Sequence, residues 1–130
     1  GSGGAAAGTG GTGSAAVFDP SSCDFGDTTG CDTLTCQARC PTNDGNSCLN
    51  RCVAVVECVT DNVADNPTAP CVTEDDPLCG GRDAGQPREC TTTVEPAGGP
   101  NPNAPTGTQA PQPSFVARQF VECICSAPRP

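Results

Sequence analysis

Twelve of the 130 residues are cysteine, and the chain contains no histidine, lysine, methionine, tryptophan or tyrosine. The apolar residues, 35% of the chain, are mostly alanine, valine and cysteine, with four phenylalanines as the only aromatic side chains. Small side chains gain little free energy on burial, whereas ordering each residue costs about 1–2 kcal/mol of backbone entropy. A disulfide contributes about 2–4 kcal/mol by restricting the unfolded chain. The sequence therefore predicts a small fold held together by six disulfides.

The cysteine content predicts the location of such a chain, and the charge indicates which binding partners are not expected. Persistent disulfides are typical of oxidising compartments, which predicts an extracellular or cell-surface location. The net charge is −9 and all six cations are scattered arginines, so nucleic acid is not an expected partner. The adjacent pair Asp75-Asp76 is interpreted as solvated turn carboxylates. No apolar run reaches the length of about 20 residues that a membrane span needs, although a lipid anchor in a precursor remains open.

Composition divides the chain into four segments. The first is rich in glycine and alanine and ends in two apolar residues, Val17 and Phe18, which are candidate assembly anchors. The third is rich in proline, which favours extended backbone and prevents a helix. The predicted segments are a low-complexity arm at 1–18, a disulfide-stapled core at 19–95 with a helical hairpin at 31–64, an extended linker at 96–113, and a C-terminal helix and tail docked on the core at 114–130.

Helical periodicity predicts the central helix and its hairpin partner. Ser47 is the expected N-cap of a helix that begins at Cys48 and ends at Asn66-Pro67. Its apolar face would consist of Cys48, Cys52, Val55, Val56, Val59 and Val63. A shorter helix is predicted from Thr33 to Cys40, ended by Pro41, with a turn around Asp44-Gly45 between the two helices.

Two further elements are predicted after the hairpin. Ser114 is expected to cap a C-terminal helix over residues 114–125, with Val116, Phe120, Cys123 and Ile124 on one face. Residues 91–94, Thr-Thr-Thr-Val, are the best strand candidate because β-branched residues favour strands. The predicted fold class is therefore small, disulfide-rich and mainly α, with an extended Gly/Ala-rich arm and a Pro-rich loop.

The cysteine spacing in residues 31–58 predicts a nested set of disulfides. Cysteines four residues apart lie on the same face of a helix, and two such pairs joined by a turn suit an antiparallel hairpin. The expected bridges are Cys36–Cys52 and Cys40–Cys48, with Cys31–Cys58 as an outer bridge. Cys58 is rotated away from the face that carries the other two cysteines, so the outer bridge is the less favourable of the three. The pairing of the other cysteines stays open, except that Cys123 or Cys125 should bridge back to residues 23–90; these cysteines are Cys23, Cys71, Cys79, Cys90, Cys123 and Cys125.

Residues 31–58 resemble the twin CX3C hairpin of α-hairpinins and coiled-coil-helix proteins in their cysteine spacing. That hairpin occurs in inhibitory, antimicrobial and purely structural proteins, so the resemblance implies a fold and no single function. In composition the whole chain resembles secreted cysteine-rich surface proteins of high-GC Gram-negative bacteria, many of which carry Gly/Ala/Ser/Thr-rich stalks. This second resemblance implies a role at the cell surface.

The residue types that are missing argue against catalysis and metal binding. Without histidine, neither a Ser-His-Asp nor a Cys-His system can form, and without lysine neither Schiff-base chemistry nor a Walker A loop is possible. The chain has no C-x2-C knuckle of a zinc site or a thioredoxin-like enzyme, and its C-x-C at Cys123 and Cys125 stands alone. We expect no catalytic residues, no cofactor and no metal.

Two functions remain as hypotheses. The first is a non-enzymatic extracellular structural protein, a self-assembling filament or surface-layer subunit whose N-terminal arm contacts neighbouring subunits, with O-linked glycans on its low-complexity segments. The second is a secreted or lipid-anchored binding module, an inhibitor or adhesin, with the N-terminal segment as stalk and a loop at 60–70 or 83–88 as the contact surface.

Overall fold

The computed structural model describes residues 17–41, 45, 47–81 and 87–128. Within these ranges lie two short strands, four α-helices and three single 3-10 turns. The strands are β1 (Val17–Phe18) and β2 (Ser126–Ala127); the helices are α1 (Cys36–Arg39), α2 (Ser47–Asp65), α3 (Thr91–Val94) and α4 (Pro113–Ile124); the 3-10 turns are Pro20–Ser22, Asp32–Leu34 and Glu95–Ala97. The protein is thus a small, mainly helical, disulfide-rich fold, as predicted.

The hairpin is present, but its first arm is shorter than predicted. A helix was expected from Thr33 to Cys40, whereas the chain forms a 3-10 turn at Asp32–Leu34 and then α1. Thr35 interrupts the two because it is extended, at φ −68° and ψ 161°, and its hydroxyl accepts a hydrogen bond from the backbone N–H of Ala38 at 3.2 Å. Threonine is a favoured N-cap, and the cap starts a new helix here instead of continuing the turn.

The long helix α2 buries the predicted stripe and ends where the sequence indicated. Its fully buried positions are Cys48, Cys52, Val55 and Val59, and Val56 and Val63 are half-buried beside them. The helix ends at Asp65, directly before Asn66-Pro67. Ser47, predicted as the N-cap, is instead the first helical residue, and the preceding residue lies outside the described part of the chain.

Helix α4 lies against α2 and contributes a second group of buried residues to the core. All four residues of its predicted face are buried, and Ala117 and Val121 are buried with them. The prediction that Ser114 caps this helix is wrong: Gln112 is at the cap position, Pro113 begins the helix, and Ser114 is fully buried within the first turn. Proline suits the first helical position because its missing N–H has no intrahelical partner there and its φ is already helical.

Residues 91–94 form the short helix α3, so the strand predicted there is wrong. The backbone N–H of Val94 donates to the carbonyl of Cys90 at 2.8 Å, and a 3-10 turn at Glu95–Ala97 follows α3 directly. β-propensity needs a neighbouring strand to take effect, and in the described residues the only strand pairing is between β1 and β2, which come from the two ends of the described chain. After this turn, residues 100–112 form neither helix nor strand, in agreement with their proline content.

Candidate functional site

All twelve cysteines are paired, and the disulfides tie α1, α2, α4 and the residue that precedes α3 to other parts of the chain. The pairs are Cys23–Cys125, Cys31–Cys123, Cys36–Cys52, Cys40–Cys48, Cys58–Cys90 and Cys71–Cys79. The two inner bridges of the hairpin are those expected from the cysteine spacing. Both Cys123 and Cys125 bridge back to the N-terminal part of the core, which fixes α4 to it.

The predicted outer bridge between Cys31 and Cys58 is wrong. Cys58 follows Cys52 by six residues, which turns its side chain far from the hairpin face of a helix with 3.6 residues per turn. It faces the segment that carries Cys90 instead. Cys31 precedes the 3-10 turn at Asp32–Leu34 and lies against α4, where it pairs with Cys123.

The two ends of the described chain meet at one end of the molecule. Strands β1 and β2 pair antiparallel, with Val17 opposite Ala127 and Phe18 opposite Ser126. The backbone N–H of Asp19 extends this pairing by donating to the carbonyl of Cys125 at 2.7 Å. The Cys23–Cys125 disulfide closes the arrangement covalently. We call this region the terminal pole, defined by residues 17–23 and 125–127.

Val17 and Phe18, the predicted assembly anchors, have different environments at the terminal pole. Phe18 is half-buried and packs against the core, so it anchors the segment to its own molecule. Val17 is 61% exposed. The predicted arm at residues 1–16 lies outside the described residues, and Val17 marks the point where that arm joins the body.

Asp19 fixes the chain direction directly after β1. Its carboxylate accepts hydrogen bonds from the backbone N–H of Ser21 at 3.0 Å, the Ser21 hydroxyl at 2.7 Å and the Ser22 hydroxyl at 3.1 Å. These bonds stabilise the ionised form, and the bond from the Ser21 hydroxyl contributes most to lowering the pKa of Asp19 below its ordinary value. The carboxylate of Asp19 thus caps the 3-10 turn at Pro20–Ser22 that follows β1.

A shallow apolar groove of about 190 Å³ opens between α1, α2 and α4. Its lining includes Cys36, Gln37, Val53, Val56, Glu57 and Phe120. Val53 is 37% exposed although it is a large hydrophobic residue, and the polar residues Gln37 and Glu57 are exposed beside it. The groove is thus an apolar surface with a thin polar rim, which suits contact with an aliphatic side chain.

A second feature, around Asp76, braces the segment between residues 71 and 90. Asp76 is only 3% exposed, and its carboxylate accepts from the backbone N–H of Gly80 at 3.1 Å and of Gly81 at 3.0 Å. The guanidinium of Arg88 donates to the same carboxylate at 2.7 Å and to the carbonyl of Cys71 at 2.8 Å. This Asp76–Arg88 brace holds together the two sides of the segment 81–88.

The interpretation of Asp75-Asp76 as solvated turn carboxylates is therefore wrong for Asp76. The sequence does contain a signal for this arrangement. Two glycines, at positions 80 and 81, follow Asp76, and glycine backbone can adopt the conformations that direct an N–H group toward a carboxylate. Gly81 adopts φ 92°, a conformation that an L-residue rarely takes, and this directs its N–H to Asp76. Neither the groove nor the brace was identified from the sequence, because each depends on residues distant in the chain.

Among the described residues, no group of three or more metal-ligating side chains is close enough to hold an ion. None of the described helices is both long and apolar enough to cross a membrane. The six disulfides fit a secreted or extracellular protein. Comparison with known proteins found no matching family model, no similar curated protein and no similar solved structure.

Proposed function

We propose that this protein is a non-enzymatic extracellular structural subunit that assembles with copies of itself, and that its N-terminal arm contacts the neighbouring subunit. The observation that carries the proposal is the terminal pole. The β1–β2 pairing and the Cys23–Cys125 disulfide attach the root of the arm to the rigid body, and Val17 is left 61% exposed there. A binding segment with a preorganised root loses less conformational entropy when it binds.

The distribution of charge supports the same role for the arm. The chain carries 15 acidic residues and six arginines, and none of them lies in residues 1–18. Two bodies with a net charge of −9 repel each other, whereas an uncharged arm adds nothing to that repulsion. Assembly should therefore use the arm and should become stronger as salt screens the bodies.

In this proposal the serine and threonine hydroxyls of residues 1–18 and 96–113 carry O-linked sugars, as they would on an extracellular polymer. Thr106 and Thr108 are exposed in the second segment.

Sedimentation velocity and negative-stain electron microscopy of the oxidised full chain test the proposal. We expect regular fibres or sheets, with a larger assembled fraction at about 0.5 M salt than at about 0.05 M salt. These two concentrations bracket the physiological ionic strength. A variant without residues 1–16 should remain monomeric. In a control, residues 1–16 are replaced by a glycine-serine segment of equal length. This control distinguishes an arm that contacts the neighbouring subunit from an arm that acts only as a spacer. Assembly that is unchanged by the deletion would exclude the arm as the contact.

The Asp76–Arg88 brace supports a second candidate, a secreted or lipid-anchored binding module. The brace and two disulfides, Cys71–Cys79 and Cys58–Cys90, hold both flanks of the predicted contact loop at 83–88, of which residues 83–86 lie outside the described part of the chain. A fixed loop base is what an inhibitor or adhesin needs. A monomer at all concentrations and salt levels in the same sedimentation experiment would favour this candidate.

A further inference from the structure

We propose that the Cys58–Cys90 disulfide is a redox-sensitive latch. A small dithiol reduces it before the other five bridges, and its reduction lets residues 66–112 open while the rest of the molecule stays folded. The latch belongs to the single molecule and does not depend on self-assembly. Three observations carry it: the accessibility of the sulfurs, the hydrogen-bond donor beside them, and the order of the disulfides along the chain.

Accessibility separates two of the six disulfides from the others. Cys23 and Cys58 are half-buried, whereas each of the other ten cysteines is at most 8% exposed. Thiol–disulfide exchange begins with the attack of a thiolate on one sulfur, so its rate depends on access to that sulfur. The bridges Cys23–Cys125 and Cys58–Cys90 are therefore the two candidates for reduction in the folded protein.

Asn62 distinguishes the second candidate from the first. Its side-chain nitrogen donates to the carbonyl of Cys58 at 2.9 Å and lies 3.7 Å from the sulfurs of both Cys58 and Cys90. The bond to a carbonyl, which can only accept, identifies the amide atom as nitrogen. A second N–H beside the sulfurs stabilises the thiolate that leaves when the bond breaks. The sulfurs of Cys23 and Cys125 have no such donor among the described residues.

The reduction proceeds by two exchanges. A thiolate of the dithiol attacks the sulfur of Cys58 and forms a mixed disulfide, and the electron pair of the broken bond passes to the sulfur of Cys90 beside Asn62. The second thiolate then attacks the reagent sulfur of the mixed disulfide, which releases the oxidised reagent and the Cys58 thiolate. The two protons of the dithiol end on the two protein thiols. The Cys58 thiol then has an acceptor in the carbonyl of Glu89, 3.8 Å from its sulfur.

The order of the disulfides along the chain gives this reduction a defined consequence. Residues 66–112, between α2 and α4, have one bridge to the rest of the molecule, Cys58–Cys90, and their second bridge, Cys71–Cys79, is internal. The other four bridges connect residues 23–52 with one another and with the end of α4. Reduction therefore leaves residues 66–112 attached by their two ends and by packing alone.

The segment 66–112 contains α3 and the Asp76–Arg88 brace. Cys90 directly precedes α3, and its backbone N–H donates to the carbonyl of Cys79 at 2.8 Å, so the latch holds both parts of the segment. A cross-link restricts the open chain, and its removal returns that conformational entropy. Reduction should thus raise the population of molecules in which this segment alone is open.

Timed reduction of the full oxidised chain under native conditions tests the order of reduction. The probe is dithiothreitol, a dithiol with no other charged group, because Glu57 and Glu89 adjoin the bridge in sequence and their carboxylates would repel an anionic reagent. Free thiols are alkylated with iodoacetamide and located by peptide mass spectrometry. We expect Cys58 and Cys90 to be labelled about tenfold or more faster than any other pair. Earlier labelling of another pair would overturn the latch.

Asn62→Leu separates the effect of the N–H donor from that of access, since leucine is similar in size. Reduction of Cys58–Cys90 should become slower by about 2- to 10-fold, the range that one net hydrogen bond represents. Asn66→Leu is the matched control: Asn66 makes the same bond to the carbonyl of Asn62, at 3.0 Å, and its substitution should leave the rate unchanged. Equal rates in the two variants would overturn the role of Asn62.

Hydrogen exchange of the double variant Cys58→Ser/Cys90→Ser measures the opening without a reductant. Amides of α3 and of residues 71–81 should exchange about tenfold or more faster than in the unsubstituted chain, whereas those of α1 and α4 should not change. Cys40→Ser/Cys48→Ser is the control, because it removes a bridge outside the segment and should leave exchange within it unchanged. Faster exchange throughout the Cys58→Ser/Cys90→Ser molecule would overturn the separate opening of this segment.

Discussion

At the scale of single residues, the most consequential side chain is Asp76. It is a carboxylate at 3% exposure, and burial of an ionised group is costly unless charge and hydrogen bonds compensate. Two backbone N–H groups and the Arg88 guanidinium supply that compensation. Arg88 also donates to the carbonyl of Cys71, so one side chain connects residue 88 to both residue 71 and residue 76.

Replacing Arg88 should therefore destabilise the protein more than the loss of a surface charge does. We expect Arg88→Met to lower the free energy of unfolding by about 1–3 kcal/mol, because it leaves the buried carboxylate of Asp76 with its backbone partners alone. The arginine side chain is 31% exposed, which keeps the effect below that of a fully buried pair.

Arg39→Met provides the matched control for this substitution. Arg39 is exposed in α1, so the same change in charge and side-chain length should alter stability by less than about 0.5 kcal/mol. Urea unfolding followed by far-UV circular dichroism measures both variants, since the chain has no tryptophan or tyrosine to report by fluorescence. Equal effects at the two positions would contradict a structural role for the brace.

At the scale of secondary-structure elements, the packing of α3 explains why a strand-like sequence forms a helix. Val94 is fully buried and lies directly over Gly80. A Cβ at Gly80 would come within 2.8 Å of Cγ1 of Val94, closer than such atoms approach in real structures. The glycine lets α3 lie close to the segment 71–81, and this contact overrides the β-propensity of three threonines and a valine.

A double-mutant cycle tests this close approach. Gly80→Ala should cost about 1–3 kcal/mol of unfolding free energy because the added methyl overlaps Val94. In the double variant with Val94→Ala the overlap is gone, so the loss should fall short of the sum of the two single losses by about 1 kcal/mol. Urea unfolding of the four proteins gives the coupling. Additive losses would show that Gly80 and Val94 are not in contact in solution.

At the scale of the whole molecule, the two bridges to the end of α4 decide how the chain closes. Cys23–Cys125 and Cys31–Cys123 span 102 and 92 residues, yet they run side by side. With one of them intact, the other closes a loop of only about 10 residues, worth about 2.7 kcal/mol of unfolded-state entropy. Without Cys23–Cys125, the loop that Cys31–Cys123 closes runs by its shortest path through Cys36–Cys52 and Cys58–Cys90 and covers about 44 residues, worth about 4.0 kcal/mol.

The two bridges should therefore be partly redundant. Replacing both pairs with alanine should cost about 1 kcal/mol more than the sum of replacing each pair alone. The Cys40–Cys48 bridge lies off this path and is the control, so its removal should be additive with that of Cys31–Cys123. Urea unfolding under oxidising conditions provides the comparison. Strict additivity for the two long-range pairs would mean that they do not close a common loop.

The sequence by itself determined the features that depend on local spacing. Helical periodicity placed the buried stripe of α2 and the face of α4, and cysteines four residues apart gave the two inner bridges of the hairpin, because neighbours at this spacing share a helix face in any fold. The high cysteine count and the small side chains required a disulfide-held fold, since burial of alanine and valine cannot offset backbone entropy.

Only the tertiary structure decided the features that join distant segments. The partners of Cys31 and Cys58 depend on where α4 and the residues before α3 lie, and cysteine spacing contains no information about either position. The same holds for the helix at residues 91–94, the Asp76–Arg88 brace and the groove, which unite segments 12 to more than 80 residues apart. Each of these features arises because packing and hydrogen bonding between remote segments outweigh the local preferences that a sequence pattern reports.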